Sequence, residues 1–173
     1  MRVVVLLLAV AVGIGVVVVI AGYLLPVRHE TTVSATIPAT PDAVWEVLTN
    51  PANYAQWRGD VTSVEVLPTE SGHVAWREQG KNGAITFVVE QAERPRRLVT
   101  RITDKSLPFG GSWEYLVTGD GAGSRVQITE HGEVYNPVFR FVSRFIMGHA
   151  ATASAYLKAL GARFGATVTP QVG

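Results

Sequence analysis

Acid–base chemistry in this chain would have to come from carboxylates, and three stand where alternating apolar patterns aim side chains inward: Glu78, Glu114 and Glu130. Along 124–134 the residues Val126, Ile128, Glu130, Gly132 and Val134 share one face, because a strand turns successive side chains to opposite sides. If Val126 and Ile128 face the core, Glu130 does too. The same alternation groups Glu78 with Val74 and Trp76, and Glu114 with Ser112 and Leu116. Across a turn centred near Gly121–Ala122, Glu114 and Glu130 fall opposite one another, and a register slip of one residue would separate their faces. A buried carboxylate without a partner tends to take up a proton, as a general acid must. Arg77, Arg101 and Arg125 lie on neighbouring strands and support a competing reading as structural ion pairs, so no catalytic residue is assigned.

Other chemistries find little purchase. With Cys count 0 there is no thiolate nucleophile, disulfide or cysteine-bound zinc. His29, His73, His131 and His149 are far apart and lack metal-ligand spacing, so no metal and no cofactor is expected. The run Gly-Asp-Gly-Ala-Gly-Ser, 119–124, lacks the following lysine of a phosphate loop and reads as a turn. A net charge of +1 with scattered basic residues leaves no footprint for a nucleic acid. The Arg58-Gly59-Asp60 tripeptide reads as the exit from a helix into a strand.

The elements that position these residues follow from pattern. Val3 to Leu25 carries no charge and as a helix reaches roughly 34 Å, enough for a ~30 Å hydrocarbon core. It reads as a single-pass membrane span rather than a cleaved signal, whose apolar core is usually about 7–15 residues. Charge flanks specify orientation weakly, with Arg2 on one side and Arg28 on the other, and lean to a domain outside the cytoplasm. The division expected is an anchor at 1–26, a linker at 27–30, a folded domain at 31–165 and a tail at 166–173. A short linker would hold the domain against the bilayer.

After a first strand ending at Pro38, Thr40 and Pro41 start a helix with Val44, Val47 and Leu48 on its apolar stripe. Pro51 restarts a shorter one, with Tyr54 and Trp57 on one face. Period-two patterns then predict strands near 61–68, 73–80, 84–93, 97–104, 111–119 and 124–134, with Asn82-Gly83 as a hairpin signal. Asn136 and Pro137 open one long helix of about 27 residues within 136–165, striped by Phe139, Val142, Ile146, Ala150, Ala153, Leu157, Leu160 and Phe164. Its first turns also carry Arg140 and Arg144 beside Phe141 and Phe145, a composition suited to a lipid headgroup layer. The fold class is α+β: a curved antiparallel sheet wrapped around a long C-terminal helix, preceded by one transmembrane helix.

Two stretches, "IPATPDAVWEVLTNPANYAQWRGDVTSVEVL" and "GGSWEYLVTGDGAGSRVQITEHGEVYNPVFRFVSRFIMG", resemble the polyketide cyclase/dehydrase and lipid-transport branch of the START-like (SRPBCC) superfamily across roughly 31–165. The resemblance implies a helix-grip fold with a deep apolar cavity between sheet and long helix, its mouth near the second short helix. Tyr54, Trp57, Trp76, Phe87, Trp113, Tyr115, Phe139, Val142 and Ile146 are then the expected lining. The function expected is membrane-anchored binding or transfer of a hydrophobic small molecule, a lipid or isoprenoid-like compound, with that molecule and the bilayer as partners. Two alternatives stand beside it: a cyclase or dehydratase using the carboxylates, and a non-enzymatic accessory module for a membrane protein.

Overall fold

In the computed structural model, which describes residues 2–68, 72–81, 83–121 and 123–173, the charge-free run forms one helix, α1 (Arg2–Leu24). It is long and apolar enough to cross a membrane, and its most apolar window is not covered by the rest of the chain. After three connecting residues β1 (Arg28–Ile37) begins. Thr40 accepts a 3.3 Å hydrogen bond from the Ala43 amide, and Pro41 fills the first turn of α2 (Pro41–Leu48). Trp45 of α2 is buried along with Val44 and Leu48, an inward ring that the expected stripe omitted. A 3₁₀ turn, Pro51–Gln56, carries Tyr54.

The chain then runs as an antiparallel meander: β2 (Val61–Leu67), β3 (Ala75–Gly80), β4 (Gly83–Glu93), β5 (Arg97–Ile102), β6 (Phe109–Asp120) and β7 (Gly123–Val134). Asn82 and Ala122, at two of the expected turns, lie outside the described residues. β1 pairs with β7 from Arg28↔Glu133 to Ile37↔Ser124. Gln171 and Val172, in the expected tail, form β8 on the far side of β1. The sheet order is β2-β3-β4-β5-β6-β7-β1-β8.

The terminal helix is not continuous. Asn136 caps α3 (Pro137–Val142) as its type suggests, accepting from the Phe139 amide at 3.0 Å. The ladder then widens into a π turn, Ser143–Met147, and Gly148 adopts φ +75° while its amide returns to the Ser143 carbonyl at 3.0 Å. A side chain at Gly148 would strain that left-handed backbone, so the glycine is what lets the chain break here. The helix resumes as α4 (Ala151–Arg163), and α4 is the part the sheet grips. The apolar period ran through 143–150 without signalling the break.

The core lies between the concave face of the sheet, α2 and α4. Val33, Ile37, Val126 and Ile128 from the sheet meet Leu48, Leu157 and Leu160 from the helices, all essentially inaccessible to water. On β1 the residues facing them alternate with Ser34 and Thr36, as a sheet with one packed face requires.

Candidate ligand site

Strand alternation puts Trp76 and Glu78 on the concave face, and register sets Phe87 directly across from Trp76. Their rings stack at 5.4 Å. Trp113 and Tyr115 face the same way from β6. Tyr156 enters from α4, where Ala153, Tyr156, Leu157 and Leu160 form the buried stripe at i, i+3, i+4 and i+7. Tyr54 meets Trp57 at 5.7 Å and Trp76 at 6.0 Å, while Tyr156 meets Trp57 at 5.3 Å, Trp113 at 5.8 Å and Tyr115 at 5.7 Å. Six of the expected lining residues are thus brought together, from Tyr54 to Tyr115, and Tyr156 is the hub that sequence reasoning missed. Its spacing in α4 was the available signal.

At the centre sits an ion pair. Arg58 Nη1 donates to Glu78 Oε1 at 2.9 Å, and Trp76 Nε1 donates to the same oxygen at 2.9 Å. Glu78 is only 6% exposed. The guanidinium lies over the rings of Tyr54 and Tyr156, at 5.3 and 5.1 Å. Burial opposes the Arg58 charge, but the hydrogen bond to Asp60 and the field of Glu78 outweigh it and keep the group protonated. Burial pushes the phenols of Tyr54, Tyr115 and Tyr156 well above their ordinary range, so they stay neutral hydroxyls. Tyr54 donates to the Leu48 carbonyl at 2.5 Å. Two buried polar atoms in this cluster, Trp57 Nε1 and Tyr156 Oη, make no well-formed hydrogen bond among the described residues, although the Tyr156 hydroxyl lies close enough to that of Tyr54 for each to perturb the other. Such orphans are few in folded proteins and ask for an explanation.

Space is available next to the rings, and Tyr156 packs edge-on against Trp57. An apolar cleft of ≈ 230 Å³ lies along Trp76, walled by Trp45, Leu48 and Pro51 on one side and by Val74, Val89 and Leu98 on the other. Trp76 is the partition between cleft and ring cluster.

The remaining expected residues scatter. Register pairs Trp113 with Glu130 and Glu114 with Thr129, so the one-residue offset separates the two carboxylates onto opposite faces. Glu114 is convex, bonded to Arg97 and 4.0 Å from His131. Glu130 is concave and 3.3 Å from His29 Nε2, and the His29 ring stacks on His149 at 3.7 Å. Burial, then the neighbouring His29, lowers the His149 pKa from its ordinary 6.5. No group of three metal-ligating side chains occurs among the described residues.

Two expectations are corrected. Ile146 is 72% exposed and does not line the cleft beside Trp76, because the π turn rotates it off the α4 stripe. Arg140 is 8% exposed and donates to the carbonyls of Leu25 and Tyr135, so it is a structural bolt and not a lipid-facing cation. Phe139 stacks on Phe109 at 6.1 Å at the edge of the concavity, and Val142 is half-buried. Phe141 leans on Phe145 at 4.9 Å, with Phe145 and Arg144 exposed.

Residues 28–165 match the family described as polyketide cyclase / dehydrase and lipid transport. The chain belongs to this family. No curated protein sequence matches it. Among solved structures, the fold of this polyketide cyclase/dehydrase family member resembles Zhui aromatase/cyclase from Streptomyces sp. R1128, at 16% identity, covering 80% of this chain and 94% of that one with a TM-score of 0.64. It also resembles TTHA0849 from Thermus thermophilus, at 19% identity, 79% and 97% coverage and a TM-score of 0.65. A conserved protein from Geobacillus kaustophilus aligns at 14% identity, 83% and 99% coverage and a TM-score of 0.66. At these identities the likeness concerns the fold.

Proposed function

We propose that this family member is a membrane-anchored binding protein for one hydrophobic molecule, of a lipid or isoprenoid-like kind, bearing a hydrogen-bond acceptor at one end. The reading rests on Trp57 Nε1, buried and without a hydrogen-bond partner among the described residues, and on Tyr156 Oη, which makes no well-formed bond and has only the Tyr54 hydroxyl near it, on rings 5.3 Å apart. Leaving such groups unpaired costs ~1–3 kcal/mol each. A ligand carbonyl, carboxylate or hydroxyl between them would remove that cost, with the Arg58 charge close by. The apolar body would bury against the rings at ~25 cal/mol per Å².

The cleft of ≈ 230 Å³ is smaller than the roughly 300–1,000 Å³ of ordinary ligand pockets. Binding therefore requires the Trp76 partition and Tyr156 to swing, joining the cleft to the ring cluster. Glu78 is held by Arg58 and Trp76, an arrangement that favours binding over acid–base work. The apolar α1, three residues from β1, would keep the domain next to a bilayer from which a greasy ligand can be drawn.

The test is organic extraction of detergent-purified, folded protein followed by mass spectrometry. One hydrophobic species per chain is expected. Protein that is folded and consistently empty, after expression in a host that makes such lipids, overturns the proposal.

A further inference from the structure

We infer that α3 and the π turn form a lipid-contact foot, bolted to α1, that fixes the pose of the domain on the bilayer; the inference rests on reading α1 as a membrane span. Four residues near the end of α1 lose exposure, Val18, Ala21, Gly22 and Leu25, and they fall at i, i+3, i+4 and i+7, one helical stripe. That stripe meets α3. A Cβ on Gly22 would come within 1.9 Å of the Pro137 carbonyl oxygen, so the glycine is what allows the two backbones to approach. Arg140 Nη1 reaches across to the Leu25 carbonyl at 2.8 Å, and the Val134 amide donates to Val27 in the connection itself, at 2.8 Å. The short connection is thus pinned at both ends and is not a free tether.

The depth of the foot follows from the helix it leans on. From Val18 to Leu25 α1 rises about 10 Å, so anything packed along that stretch lies within one headgroup layer of the end of the span. Interfacial segments bury their apolar side ~5–10 Å into the same zone. The residues presented there fit: Phe145 is 63% exposed, Ile146 72% and Val138 is exposed as well, with Arg144 beside them for lipid phosphates. The occupant of this patch is the bilayer, because the patch is continuous with α1, whose uncovered apolar surface needs hydrocarbon around it.

The absence of cysteine makes the test clean. Single-cysteine variants Phe145→Cys, Ile146→Cys, Lys158→Cys and Val10→Cys carry a nitroxide in full-length protein reconstituted into phosphatidylcholine/phosphatidylglycerol vesicles. Labels at 145, 146 and 10 are expected to collide with oxygen more than with a water-soluble nickel chelate, and the label at 158 on α4 to show the reverse. Aqueous readings at 145 and 146 with a membrane reading at 10 overturn the foot and leave the span standing. An aqueous reading at 10 overturns the span and the foot with it. Gly22→Leu and Arg140→Gln are each expected to shift the 145 label towards the aqueous reading without moving the label at 10. No shift in either variant overturns the rigid joint.

Discussion

Arg140 donates a 2.8 Å hydrogen bond to the carbonyl of Leu25, just past the last turn of α1. Carbonyls at a helix C-terminus have no partner within the helix and carry the negative end of its dipole, so a buried guanidinium there satisfies both. Its second bond, to the Tyr135 carbonyl at 3.3 Å, ties the same group to the start of α3. Removal of α1 would strip Arg140 of one acceptor and open the slot that Gly22 fills. The account therefore predicts that protein isolated from membranes keeps α1, checked by intact mass; a mature chain starting after residue 25 contradicts it.

Substituting Gly22 tests the joint by stability. Alanine there must push α1 away from Pro137, since the added carbon would sit 1.9 Å from a backbone oxygen that cannot swing aside. A loss of about 1–3 kcal/mol is expected, in the range of overpacked contacts. Thermal unfolding in detergent reads it, and Gly13→Ala, where nothing lies within 4 Å, should be near neutral.

The Arg58–Glu78 pair should behave as a buried unit. Arg58→Met or Glu78→Met alone strands a charge or a polar acceptor among rings, and breaking a buried pair typically costs ~3–5 kcal/mol. The double variant leaves Trp76 Nε1 without its acceptor and hands the exposed Asp60 to water, and should recover much of that loss. A denaturant double-mutant cycle measures this; single losses that simply add would contradict the arrangement seen here.

Acid should loosen the segment after the break. The folded pKa of His149 lies below its ordinary 6.5 because of burial and the adjacent His29, so the neutral ring is the form the fold accommodates. Glu130 opposes this and Arg144 adds to it. Stability is unaffected well above pH 6.5 and falls as pH drops from there through the lowered folded value. Hydrogen-exchange protection at residues 148–151, corrected for the intrinsic pH dependence of exchange, should fall over that window in the wild type and lose the dependence in His149→Gln. An equal dependence in both would show that another group is responsible.

The meander was legible because strand period, turn residues and caps all agreed, and Thr40, Pro41, Asn136 and Pro137 do what their types suggest. The helix break was not, since Phe139, Val142 and Ile146 keep a helical period through a segment where Gly148 changes the backbone's hand. Facing of the carboxylates hinged on a register offset of a single residue that no local pattern encodes: Glu130 meets Trp113 while Glu114 meets Thr129. The aromatic cluster was partly readable, strand by strand. Tyr156 was not singled out, because the stripe was followed through its neighbour Leu157. Arg140 shows the limit of composition, as a cation among phenylalanines looked like a headgroup ligand until α1 was seen packed against it.

The most direct test of the central claim watches the Trp57 indole N–H in the ¹⁵N spectrum of protein first stripped of lipid by detergent exchange and then given back its extracted hydrophobic fraction. Trp57→Phe assigns the signal among the four indoles. The account predicts that this resonance moves downfield on addition, as a new hydrogen bond forms, and that Tyr156→Phe weakens the response. If the fraction binds and the Trp57 signal stays where it was, the two orphaned groups are not the ligand's anchor and the proposed site is wrong.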